Sequence, residues 1–129
     1  MIGRLAGLLA LSPVLAMGCG CATVEAPAAD AKVNSYGVAV YASSTRDWRL
    51  RWQATTLQQA QQRALQDCAV ADCRVVLEFG PGQCGTLALG ECGIGVGRED
   101  TPAAAEIVAL GDCQRSGPGC RAAPAKCNR

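Results

Sequence analysis

The sequence predicts an α+β domain: a mainly antiparallel sheet with two helices, made from one strand-strand-helix-strand unit written twice and stapled by disulfides. Three observations carry this. "ALQDCAVADCR" (Ala64–Arg74) is echoed by "ALGDCQRSGPGCR" (Ala109–Arg121). When Thr56 is aligned with Thr101, the match runs without a gap to Cys68 and Cys113, and Thr, Ala, Ala, Leu, Asp and Cys recur in place. Nine cysteines in 129 residues are too many for an ordinary small cytosolic domain.

The elements follow in order. "YGVAVYAS" reads as a first strand, and "SSTRD" as the turn after it. "DWRLRWQ" alternates, with Trp48, Leu50 and Trp52 on one face and Asp47, Arg49, Arg51 and Gln53 on the other. Leu57, Ala60, Ala64, Leu65 and Cys68 fall at helical spacing, and Thr56 with Gln59 forms a capping box. "CRVVLEF" is a strand expected to place Val75, Leu77 and Phe79 inward. "GTLALG" and "CGIGVG" form a glycine-rich pair around Gly90-Glu91. The second helix starts at Thr101, with Pro102 at its first position, where a missing N–H costs nothing. "CRAAPAKC" is a weak last strand, and Pro124 marks it as an edge. Both helices are expected on one face of one sheet, and each half, about 36–83 and 84–129, is too small to bury its own core.

The N-terminus reads as an export signal. Arg4 precedes the apolar run Leu5–Met17, which is shorter than the roughly 20 residues of a membrane span. "LAMGC" resembles a lipobox with Cys19 as the lipidated residue, and Cys21 offers a second register. Residues 1–18 are therefore expected to be a lipoprotein signal peptide and 19–35 an Ala-rich flexible tether, with the folded domain over 36–129. This places the domain in the periplasm, anchored by lipid to the outer membrane, or secreted if the lipobox is unused.

Charge narrows the partners. Without Arg4, 11 of the 12 basic residues remain against 11 acidic ones, so the exported chain is formally neutral. No basic patch suits nucleic acid, and contact with a membrane is expected through the lipid alone. The oligomeric state stays open.

Cys68 with Cys73, and Cys113 with Cys120, each bracket a helix-to-strand turn and suit local staples. Cys84 and Cys127 hold related places and are candidates to meet across the pseudo-twofold. Sequence alone does not choose among the pairings. Cys92 is left to pair with Cys84 or Cys21, or to stay free. The Cys-x4-Cys and Cys-x6-Cys spacings are looser than zinc pairs, and export favours oxidation over metal.

With no His in the chain, a Ser-His-Asp triad and a Cys–His dyad are excluded. The carboxylates lie at turns, helix ends or outward strand positions, and "GIGVG" lacks the Lys-Ser/Thr of a phosphate loop. No cofactor, metal or catalytic constellation is expected. Asp67 and Asp112 precede the matched cysteines at helix C-termini, where a carboxylate is disfavoured, which suggests local bonds, with Arg74 and Arg121 as candidate partners. The remaining candidate is a surface: Arg46, Arg49 and Arg51 around Trp48 and Trp52, an arginine-aromatic mixture typical of binding hot spots.

From Tyr36 to Cys127, "YGVAVYASSTRDWRLRWQATTLQQAQQRALQDCAVADCRVVLEF", "CGTLALG" and "TPAAAEIVALGDC" together resemble the small secreted, cysteine-rich bacterial proteins grouped as domain of unknown function 4189. In the second half the Trp-Gly-rich strand typical of that family is "GIGVG". The resemblance implies an exported, disulfide-bonded domain and carries no catalytic residue. The function expected is that of an envelope lipoprotein binding another protein, in its sharpest form an inhibitor or immunity protein against a peptidoglycan hydrolase. A module binding peptidoglycan or another envelope polymer is the alternative, and a carboxylate-based secreted hydrolase the third reading.

Overall fold

The computed structural model describes residues 34–129. The signal segment, Cys19, Cys21 and all but the last two residues of the tether lie outside the described residues.

The element order is β1 (Tyr36–Tyr41), β2 (Trp48–Ala54), α1 (Leu57–Cys68), β3 (Arg74–Phe79), β4 (Cys84–Leu89), β5 (Ile94–Glu99), α2 (Pro102–Gln114), β6 (Arg121–Ala122) and β7 (Lys126–Cys127). The strands form two sheets, a correction to the single sheet expected. One has the order β2-β1-β3. In the other β4 pairs with β5 on one side and with β6 and β7 on the other. All pairings are antiparallel. The repeat is thus complete: β1 and β4 are the middle strands, β2 and β5 follow by hairpins, and β3 is matched by a last strand that Pro124 splits into β6 and β7.

Alternation along the middle strands sets the layers. Val38, Val40 and Ala42 face α1 and pack with Ala60, Ala64 and Cys68. Ala39 points the other way, into a core with Leu50, Phe79 and Leu87 that joins the two sheets. On the far side of the second sheet, Ala88 meets Ala109 and Cys113 of α2. The helices therefore lie on opposite outer faces, not on one. Each sheet has two apolar faces and needs a cover on both; a helix covers one and the other sheet the second.

The helices begin as their caps dictate. Thr56 Oγ1 accepts the Gln59 N–H at 3.0 Å, and Gln59 Oε1 accepts the Thr55 N–H at 3.1 Å. Thr101 Oγ1 accepts the Ala104 N–H at 3.2 Å. The residues matched in the repeat are the inward ones: Ala60, Ala64 and Cys68 in α1, and Ala105, Ala109 and Cys113 in α2, are all buried. Leu65, expected on the buried stripe, is exposed.

Phe79 holds the two sheets at their spacing. It lies opposite Gly37 in the β1–β3 ladder, and a Cβ on either Gly37 or Gly85 would overlap its ring. Those glycines are equivalent in the repeat, so the one phenylalanine of the chain fills a slot cut from both sheets. Both edge strands of the first sheet are bulged. The β3 bulge falls at Val76, so Val75 faces α1 while Leu77 and Phe79 face the second sheet. This corrects the uniform inward alternation expected for that strand. Bulges also make both edges poor templates for pairing with another chain.

Cys68 is bonded to Cys73, Cys113 to Cys120 and Cys84 to Cys127. The last bond joins β4 to β7 inside the second half, so it does not cross between the halves. Cys92 is exposed and has no disulfide partner among the described residues, and its expected alternative Cys21 lies outside them. Asn128, buried beside Cys127, does link the halves: its Oδ1 accepts the Gln53 N–H at 2.8 Å, and its Nδ2 donates to the carbonyls of Phe79 and Gly80.

Candidate functional site

β2 is a free edge of the first sheet, and β6–β7 run past it along the second. Trp48 and Trp52 project from β2 into the mouth between the sheets, each half-buried. A cleft of about 610 Å³ opens there, lined by both tryptophans, Arg46, Arg49, Pro124 and Lys126, among others. The Lys126 ammonium sits 5.1 Å from the centroid of the Trp52 ring, a cation–π contact that fixes both side chains. Three cations, Arg46, Arg49 and Lys126, stand against one acid, Asp47, whose carboxylate already accepts the Thr45 hydroxyl at 3.0 Å. A smaller cleft of about 400 Å³ continues along the same edge, with Arg51, Trp52, Arg63, Gln66 and Asp67 in its walls.

The three arginines singled out in the sequence do different things. Arg46 has a left-handed backbone, φ 64°, and its guanidinium donates to the Gly90 carbonyl, tying the β1–β2 turn to the β4–β5 turn. Arg51 is paired with Asp67 of α1. Arg49 is exposed and donates only to the neighbouring carbonyl of Trp48, at 2.7 Å, which leaves most of its guanidinium open. The first sheet is covered on both faces, yet Arg49 and Arg51 stay exposed.

The matched aspartates bond differently from what their spacing suggested. Asp67 takes Arg51 in place of Arg74, and Asp112 accepts the Val96 N–H at 2.9 Å and faces Arg115 at 4.0 Å in place of Arg121. In both halves the acid ties the end of the helix to the second strand. Lys126 carried no signal in the sequence: it sits in the alanine-rich tail and meets Trp52 only through the fold.

Two further carboxylates are committed to structure. Asp72 accepts the Ser43 hydroxyl and the N–H and hydroxyl of Ser44, and these bonds, with the Ser44 hydroxyl first, hold its carboxyl below the usual range. Glu78 accepts the Gln61 side-chain amide at 2.7 Å. Among the described residues, no group of three or more His, Cys, Asp or Glu side chains is placed to hold a metal ion. No described helix is long and apolar enough to cross a membrane.

No curated protein and no solved structure matches the chain. A family model does match, over residues 36–127, from the first residue of β1 to the last of β7. The matched span covers both half-units and all three disulfides, so the chain belongs to the family described as domain of unknown function (DUF4189).

Proposed function

We propose that this is an exported binding module whose β2-edge cleft docks an acidic segment of a protein partner. The observation that carries the reading is the convergence of two half-buried tryptophans with Arg46, Arg49 and Lys126 at one mouth of the sandwich. Aromatic anchors beside arginine and lysine are the composition of interface hot spots, and a surplus of cations selects a carboxylate-bearing partner. Strands carry the site, and the Cys84–Cys127 bond sits on the strand that presents Lys126, so little ordering remains to be done on binding. The "LAMGC" motif supports lipid anchoring at Cys19 in the periplasm, where the sharpest form of the reading is an inhibitor or immunity protein facing a wall-degrading enzyme. A polymer bearing sugars and carboxylates would use the same tryptophans and cations, which keeps peptidoglycan as the second reading.

The test compares the oxidised protein with the double variant Arg49→Glu, Lys126→Glu, whose changes fall on side chains outside the core. Both are exposed to native envelope extract and to purified sacculi. Retention of one stoichiometric protein by the wild type, lost in the variant, is the expected result. Equal retention by both removes the cleft from the reading, and retention on sacculi alone replaces the protein partner with the wall polymer.

A further inference from the structure

The two helices share their buried residues and differ on the outside. Along one side of α1 lie the half-buried Gln59 and the exposed Gln62, Arg63 and Gln66, a polar stripe beside which only Leu65 is an exposed large apolar residue of that helix. The equivalent positions of α2 are Ala104, Ile107, Val108 and Gly111. Ile107 is 70% exposed and Val108 40%. A helix that is apolar on both faces is ordinarily covered on both. Gly111 sharpens the point: a Cβ there would meet nothing within 4 Å, so no contact inside the molecule requires glycine. A mid-helix glycine costs about 1 kcal/mol relative to alanine, and its effect here is to lower the surface beside Ile107 and Val108.

Charge identifies the occupant. The apolar stripe continues at the N-terminal end into the exposed Asp100, whose carbonyl accepts from Arg129 at 3.0 Å, and at the C-terminal end into Arg115, which is 4.0 Å from Asp112 but keeps a side chain 84% exposed. A stripe that is negative at one end, neutral in the middle and positive at the other complements itself when turned end for end. We propose that α2 is a self-docking face on which two copies of this chain pair antiparallel, about a twofold axis passing between Ile107 and Val108. That register sets Asp100 against Arg115 of the second copy at both ends, Ala104 against Gly111, and Ile107 against Val108. Large residues meet at the axis and small ones flank them, so the helices approach closely, and the contact is isologous and closed.

The size of the patch sets the strength. A 13-residue helix is about 20 Å long, so the face is well below the roughly 800 Å² per partner of a standard interface. The dimer is therefore weak and forms only at high local concentration. The cleft at β2 lies on the first sheet, while α2 covers the outside of the second, so the pairing leaves that cleft open.

Sedimentation equilibrium of the full oxidised chain carrying Cys19→Ser, Cys21→Ser and Cys92→Ser, which removes thiol cross-linking, tests this from about 10 µM to about 1 mM, the range in which a patch this small associates. A monomer–dimer equilibrium is expected. Ile107→Glu abolishes it, while Gln62→Glu at the equivalent place on α1 leaves it unchanged, both with an unaltered unfolding midpoint. Arg115→Glu weakens it about tenfold, and Asp100→Arg with Arg115→Asp restores it, since two exposed ion pairs are inverted together. Three results overturn the proposal: a monomer at every concentration, association that survives Ile107→Glu, or a double charge reversal that fails to restore it. Flotation with zwitterionic lipid vesicles that Ile107→Glu abolishes also overturns it, because the face then belongs to a lipid surface.

Discussion

The second strands of the two halves occupy the same place and carry opposite residues. In β2, Arg49 and Arg51 stand opposite Val40 and Val38; in β5, Gly95 and Gly97 stand opposite Ala88 and Thr86. A Cβ on Gly95 would overlap the Ala109 carbonyl and the Cys113 amide, and one on Gly97 the Ala105 carbonyl. α2 therefore lies directly on β5, while α1 divides its contact evenly between β1 and β2. The aspartate that ends each helix follows suit. Asp112 is near enough to take the backbone N–H of Val96, whereas Asp67 is met by the long side chain of Arg51. Two residues per strand thus set how closely each helix seats on its second strand. The lesson is that two copies of one unit diverge at the strand positions beneath the helix, glycine in one and arginine in the other.

The largest way to break this comparison is through the cross-link that has no counterpart in the first half. Replacing Cys84 and Cys127 with alanine opens a span of 43 residues and is expected to cost about 4 kcal/mol, against about 2 kcal/mol for either local staple. Urea unfolding of the oxidised variants reads the difference. A cost for Cys84–Cys127 no greater than that for Cys68–Cys73 would mean the second half closes without it.

Next comes the seating of the helices. Gly97→Ala drives a methyl into the α2 backbone, which has no rotamer to yield, and is expected to cost about 3 kcal/mol. Arg51→Ala, at the matched position, is expected to cost under about 1 kcal/mol, because it breaks only an exposed ion pair. If the two variants unfold at the same urea concentration, the strands do not set helix height.

The aspartates separate the halves by a smaller margin. Asp112→Ala leaves the half-buried Val96 amide without its acceptor and is expected to cost about 1–2 kcal/mol. Asp67→Ala frees Arg51 into solvent and is expected to cost under about 1 kcal/mol. Thermal midpoints of both variants check the order.

How much of this was legible in the sequence follows from which contacts are local. The caps at Thr56 and Thr101, the inward alanines and the bracketed staples lie within a few residues of one another, and they read correctly. The splitting of one sheet into two did not read, because it depends on which edges of β3 and β4 stay unpaired, and nothing in "RVVLEF" or "GTLALG" states that. The β3 bulge at Val76 misled the alternation for the same reason. Lys126 and Asn128 were invisible because their partners, Trp52 and Gln53, are more than 70 residues away and adjacent only once both sheets exist. The arginines were found as a group, and only the fold shows that Arg46 and Arg51 are bonded within the domain while Arg49 is open.

The smallest effect expected is one of pH. In the first half Asp72 joins the two turns at one end of the sheet, while in the second the equivalent tie is a backbone bond from the Glu91 N–H to the Pro118 carbonyl at 3.1 Å. Because the folded value for Asp72 is lowered, its contribution is present above the ordinary carboxylate range and is lost as pH falls through the lowered value. Amide exchange at Ser44 should therefore quicken, relative to its intrinsic rate, only in strong acid below the ordinary carboxylate range, while that at Glu91 does not. Parallel behaviour of the two amides would remove the distinction.

Asn128 has a consequence for the order in which the chain matures. A growing chain emerges with its first half complete in sequence, yet the bulge at Gln53 and the last carbonyls of β3 have no partner until a residue 75 positions beyond Gln53 arrives. The same stretch brings Cys127 to Cys84. A leading half therefore stays open while the rest is still being made, and it cannot commit to its final form early. The two halves therefore close together, through the last residues of the chain.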